Sequence, residues 1–133
     1  MGAHIMNGDL FSSESVTRGH PDKLCDTISD AIVDACLAID ANARVAVETC
    51  VKGKEELGLI VLAGEVSLSG PAPDYEAVAR KAAADVGYTS HAIGMDATSE
   101  TFTEVQVHIT TQSSFIAQVS TKTFSRKALE TRD

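Results

Sequence analysis

Gly19-His20-Pro21-Asp22-Lys23 puts a histidine, an aspartate and a lysine on one short turn that runs into a helix-forming segment. A helix N-terminus offers N–H groups without intrahelical acceptors and a partial positive charge, so it suits an anion such as phosphate. Lys23 adds a point charge for the same anion. His20 can donate to a phosphate or bridging oxygen, and Asp22 can hold a hard cation through oxygen. The plainer alternative is a capped helix behind a proline turn, with Asp22 favouring the dipole and His20 solvated. Two more carboxylates interrupt apolar strand patterns: Glu48 in Ala46-Val47-Glu48-Thr49 and Glu65 in Leu62-Ala63-Gly64-Glu65-Val66. On a sheet either can accept an ammonium group or coordinate a cation, and Gly64 beside Glu65 suggests close approach by a backbone or ligand. The alternative for both is the solvated face. Gln112-Ser113 lies just past the last strand, while His91 and His108 have no partner spacing and read as surface residues.

The elements that must carry these groups follow from periodicity. Residues 10–16 read as a short, extended lead-in, with a short strand as an option. From Asp22 a helix is signalled by Leu24, Cys25, Ile28, Ala31, Ile32, Ala35, Cys36 and Ile39 at three- and four-residue steps, ended by Asp40-Ala41-Asn42. Residues 44–51 alternate, with Val45, Val47, Thr49 and Val51 opposite Ala46, Glu48 and Cys50; residues 52–56 turn, and 57–68 return as the second strand of a hairpin. After Ser69-Gly70-Pro71-Ala72-Pro73, Asp74 is a candidate N-cap for a helix carrying Tyr75, Val78, Ala82 and Val86, closed by Gly87. A loop spans 88–99, and 101–111 is the last strand, with Val105, Val107 and Ile109 on one face. This order predicts an α+β fold: a largely antiparallel sheet with helices packed on one face.

The chain has 133 residues, of which 44% are hydrophobic and 23% charged, enough for one domain with a hydrophobic core. A net charge of −8 argues against a nucleic-acid or anionic-membrane partner, though not against a local phosphate site bridged by cations. No apolar run approaches the ~20 residues of a transmembrane helix, and no signal-peptide pattern is visible. Cys25, Cys36 and Cys50 lack CxxC spacing and are odd in number, which points to buried free thiols and a cytoplasmic location. Residues 1–9 read as a tag remnant outside the fold.

Ser13-Glu14-Ser15-Val16 leading to Gly19-His20-Pro21-Asp22-Lys23, then Asp26, Ile28-Ser29-Asp30-Ala31 and Asp34, resembles the N-terminal signature of S-adenosylmethionine synthetases (methionine adenosyltransferases). Arg44-Val45-Ala46-Val47-Glu48-Thr49 and Ala63-Gly64-Glu65-Val66 match the next two blocks, and Gly87-Tyr88, Asp96 and Gln112-Ser113 fall where that family has them. The resemblance implies that methionine sulfur attacks C5′ of ATP and expels tripolyphosphate, which is then hydrolysed to phosphate and diphosphate. It implies His20 as the catalytic residue at the phosphates, Lys23 as an ATP contact, Asp22 as a Mg²⁺ ligand and Glu48 at a K⁺ site. Glu65 and Gln112 would hold the amino-acid group of L-methionine. The family fold has three similar α+β domains per subunit, its active sites lie between two subunits, and its members form dimers or tetramers. A homo-oligomer is therefore the expected assembly. The alternative is a non-catalytic module that binds ATP or pairs with a full-length subunit.

The resemblance sets the domain at 10–118 and leaves 119–133 as an aberrant tail. Arg18 replaces the usual acidic residue before the glycine, and Ser114-Phe115 replaces the family's Pro-Asp. One hypothesis accounts for the tail. Gln118 to Thr123 can be encoded CAG GTG TCG ACG AAG ACT, which out of step reads Gly-Val-Asp-Glu-Asp. Leu129 to Asp133, as CTG GAG ACC AGG GAC, gives Gly-Asp-Gln-Gly in the same offset. Both are family motifs, so a one-base deletion near the Gln118 codon is expected; coding DNA that cannot be read this way would sink the idea.

Overall fold

In a computed structural model, residue 8 and residues 10–113 are described. The order is α1 (Pro21–Ile39), β1 (Arg44–Lys54), β2 (Leu57–Leu68), α2 (Tyr75–Val86), β3 (Thr89–Ser90), a 3₁₀ turn (His91–Ile93), β4 (Met95–Asp96) and β5 (Thr103–Ser113). β1, β2 and β5 form one sheet in that order, and β3 pairs with β4 in a small second one. β1 and β2 are antiparallel and close through a two-residue turn at Glu55-Glu56, where Glu55 takes a positive φ of 53°. β5 lies parallel to β2, so the three-stranded sheet is mixed. A parallel neighbour needs a crossover too long for a hairpin, and α2 supplies it.

The helices cover one face of that sheet. α1 buries Leu24, Ile28, Ile32 and Cys36, an i,i+4 stripe, while α2 buries Tyr75, Ala79, Ala82 and Ala83. The small residues of α2 let its backbone come close to its neighbours. Between the edge strands, β2 contributes Ile60, Leu62, Val66 and Leu68 to the same core. Burial of each such side chain contributes about 1.5–3 kcal/mol, so this strand anchors the sheet. Gly64 sits in their alternation, with φ +149°. A Cβ there would lie 1.9 Å from the Ala46 carbonyl oxygen, so β1 can approach only a glycine.

Both helices match the periodic pattern. Asp74 caps α2 by accepting from the Ala77 N–H, and Gly87, at φ +123°, ends it. Asp40 closes α1 and accepts from the backbone N–H groups of Asn42 (2.9 Å) and Ser69 (2.8 Å), which ties the helix end to the end of β2. Several expectations need correcting. β1 runs on to Lys54, so the turn expected at 52–56 shortens to Glu55-Glu56. β5 runs to Ser113, so Gln112-Ser113 lies within the last strand and not past it. Both strands keep their partners on β2 to their ends. Residues 10–16 form no strand and are exposed along their length, because no sheet edge receives them. The loop at 88–99 contains a short hairpin with a 3₁₀ turn. The three cysteines are free, but only Cys36 is buried; Cys25 is half-buried and Cys50 exposed, since Cys50 points away from the helices. Burial pushes the Cys25 and Cys36 thiols up. Apart from residue 8, the expected tag lies outside the described residues, as do 114–118 and the expected tail.

Candidate functional site

The turn into α1 is built by its own backbone and by one histidine. The His20 N–H donates to the Thr17 carbonyl at 3.0 Å, and the His20 carbonyl accepts the first helical bond, from Leu24 N–H, at 2.8 Å. Pro21 occupies the first helical position, where its missing N–H costs nothing and its fixed φ suits the helix. His20 itself is the N-cap: its Nδ1 accepts from the Asp22 N–H at 3.2 Å. An accepting Nδ1 carries no proton, so the neutral ring bears its proton on Nε2 and can donate it outward. The Asp22 carboxylate stands 3.9 Å from Nδ1. The His20 side chain is 45% exposed and that of Asp22 is 87% exposed, so the turn is open to a ligand. Lys23 follows on the first helical turn, exposed. The Tyr88 hydroxyl donates to the Gly19 carbonyl immediately before this cap.

The remaining predicted residues lie on the sheet face away from the helices. Glu48 stands opposite Ala63, with His108 next in the same row on β5. Two rows along, Arg44, Ser67 and Gln112 are in register, and between these rows lies Ala46, Glu65 and Thr110. Arg44, Ala46, Glu65, Ser67 and Gln112 line a hollow of ≈ 280 Å³. A carboxylate, a guanidinium and a carboxamide around one hollow can take the ammonium and carboxylate of an amino acid at the same time. Glu65 and Gln112 are thus brought together. Sequence reasoning missed Arg44 and Ser67 here, although Arg44 has the strand parity of Ala46 and Glu48.

The two groups do not meet within the described chain. Cys25 of α1 lies against the Val51 backbone, and the Ser29 and Thr49 hydroxyls are hydrogen-bonded at 2.8 Å, so α1 runs antiparallel to β1 with its N-terminus at the hairpin end. Glu65 pairs with Ala46, five residues back along β1 from Val51. At ~3.3 Å per residue that is about 17 Å along the sheet, and on its opposite face. Glu48 lies between the two ends.

Among the described residues, no three His, Cys, Asp or Glu side chains converge as a metal site. Asp22 fits Mg²⁺ only as one oxygen ligand alongside phosphate oxygens, water or groups from elsewhere, and Glu48 likewise offers K⁺ a single carboxylate. Among the described residues no helix is long and apolar enough to cross a membrane. A family model described as S-adenosylmethionine synthetase, N-terminal domain, matches residues 8–114.

Proposed function

The chain belongs to the S-adenosylmethionine synthetase N-terminal domain family, and from that membership we propose that it supplies two separate half-sites for joining L-methionine to ATP. One half-site is the His20 turn, which receives the tripolyphosphate of ATP. His20 Nε2–H stabilises the charge that develops on the C5′ oxygen as methionine sulfur attacks, and Lys23 and the α1 N-terminus hold the phosphates. The other is the sheet hollow, where Glu65 and Gln112 bind the amino-acid group and Arg44 faces its carboxylate. Asp22 would be one oxygen ligand of a Mg²⁺ that would supply positive charge against the tripolyphosphate, and Glu48 would offer its carboxylate to K⁺.

What supports this reading is the separation of the two groups. The hollow lies about 17 Å along the sheet from the level of Cys25 and on the opposite face, and His20 stands beyond Cys25 at the start of α1, so on this reading the complete site takes residues from a second subunit. A homo-oligomer follows from the same reading, and the free thiols and the family membership place it, as part of the proposal, in the cytoplasm. The domain is proposed as 10–118, with 1–9 as tag and 119–133 as aberrant tail.

The test is S-adenosylmethionine formation by the purified chain with ATP, methionine, Mg²⁺ and K⁺, beside a His20→Ala control. We expect no product from the folded chain even as an oligomer, because it matches one domain of a family whose sites draw on three domains per subunit. Product that vanishes in the control would overturn the claim that the chain alone is incomplete. A second reading, a non-catalytic module that pairs with a full-length subunit, is favoured by the uncovered sheet face. It requires a defined hetero-complex on size exclusion after mixing with an intact synthetase.

A further inference from the structure

We propose that Tyr88 is the positioning residue of the phosphate half-site, holding the Gly19 peptide so that the His20 cap keeps its orientation; this rests on the proposed role of His20. Residues 10–19 are exposed throughout and lie in no helix or strand, so the chain reaches α1 with little to fix its direction. Two bonds act at that point. One is local, from His20 N–H to Thr17. The other, among the described residues, comes from a different part of the fold: Tyr88 Oη–H to the Gly19 carbonyl.

Tyr88 is well placed to hold a distant peptide because it is itself held on three sides. Its N–H donates to the Ala83 carbonyl at 3.1 Å, across the Gly87 turn that ends α2. Its carbonyl accepts from the Ala97 N–H at 2.9 Å. Its ring is half-buried and packs against the core cluster. The hydroxyl therefore projects from the rigid α2–β3 junction to the one carbonyl that precedes the cap. Fixing the Gly19 peptide fixes where the His20 N–H points and the starting direction of the His20 backbone. That backbone sets the ring over the Asp22 N–H, and the Nδ1 acceptor role keeps the proton on Nε2. Among the described residues, the Tyr88 hydroxyl bonds to the Gly19 carbonyl and not to the side chain of His20 or Lys23. It acts through Gly19 and His20.

Tyr88→Phe removes the hydroxyl and leaves the ring in place. The experiment compares the full chain with this variant by ¹H–¹⁵N NMR, reading amide exchange at His20 and Leu24, the His20 ring-nitrogen shifts at neutral pH, and titration with inorganic tripolyphosphate. A lost hydrogen bond of ordinary strength corresponds to about fivefold in a local equilibrium. We expect exchange at His20 and Leu24 to rise about fivefold and tripolyphosphate to bind about fivefold more weakly. The ring-nitrogen shifts should move toward the tautomer average, with little change in melting temperature. Unchanged exchange and ring shifts at His20 would overturn the proposal. So would changes confined to Ala83, Tyr88 and Ala97, which would mean that the hydroxyl serves only its own loop. Failure of the unsubstituted chain to bind tripolyphosphate would count against the phosphate reading, and the exchange and ring-shift readouts would still decide the role of Tyr88.

Discussion

Gly64→Ala tests the packing that places Glu65 on the outer sheet face. The added Cβ would sit 1.9 Å from the Ala46 oxygen, 2.9 Å from the Ala46 carbonyl carbon and 3.0 Å from the Val47 Cα. All three are backbone atoms of the neighbouring strand, so no side-chain rotation relieves the clash; β1 and β2 must separate by more than an ångström. Gly64 also has φ +149°, a region that L-residues adopt at a cost of about 1–3 kcal/mol. Overpacking against an ordered neighbour adds about 1–3 kcal/mol. Together they give roughly 4 kcal/mol, a large share of the ~5–15 kcal/mol that holds a domain folded. At ~4–8 °C per kcal/mol the melting temperature should fall by roughly 15–30 °C. Urea unfolding followed by circular dichroism measures the loss, with Gly8→Ala as the control, since a Cβ at Gly8 meets nothing within 4 Å. A Gly64→Ala loss below about 1 kcal/mol would refute the reasoning, because it would mean that the strands part freely at this position.

Two other substitutions probe the frame around the site. Arg80, on α2, donates through Nε to Glu76 at 2.8 Å and through its terminal nitrogens to the carbonyls of Thr103 at 2.8 Å, Ala97 at 3.2 Å and Ser99 at 3.4 Å. Arg80→Lys keeps the charge but loses the fork, and should cost about 1–3 kcal/mol in urea unfolding; a loss under about 0.5 kcal/mol would show that these carbonyls are satisfied otherwise. The Ser69 and Asn42 N–H groups hold the Asp40 carboxyl below its ordinary value of 3.8. A depressed folded value means a contribution that is present above the unfolded value and lost as pH falls through the folded one. Asp40→Ala should therefore lower the melting temperature at neutral pH and flatten its decline as the pH falls through and below the ordinary carboxylate range. An equally steep decline in the variant would exclude this carboxylate from the acid sensitivity.

The helices and the three long strands were legible because each repeats a pattern over many residues. The stripe Leu24, Ile28, Ile32 and Cys36 and the alternation from Ile60 to Leu68 carry enough positions to fix a face. β3 and β4 were not, since two-residue strands have no period to read. The parallel seating of β5 was also hidden, because alternation fixes a strand's faces but says nothing about which neighbour it joins. His20 as a cap escaped the rules, which look for Ser, Thr, Asp or Asn there. Its imidazole does the same work through Nδ1. Of the site residues, Glu65 and Gln112 share a hollow only through the β2–β5 register, and Arg44 joins them through the β1–β2 register. No local spacing encodes either relation.

The two proposed half-sites differ in what holds them, and that difference bears on how each responds to change. The sheet hollow is carried by three strands whose register is locked by the buried alternation on their other face. A slip of one residue would turn Ile60, Leu62 and Val66 outward. Glu65 and Gln112 thus keep their spacing for as long as the core exists, and losing it means unfolding the domain. The His20 turn has no such lock, since it stands at the end of an exposed segment and rests on a cap, a proline and the Tyr88 hydroxyl. Each of those can be lost while the core remains intact. On the proposed reading, substitutions near His20 should therefore alter phosphate binding at nearly constant stability, whereas substitutions beneath the hollow should lower amino-acid binding and stability together. Melting temperature and ligand affinity measured on the same variants separate the two patterns. A His20-turn variant whose binding falls only in step with its stability would contradict the distinction.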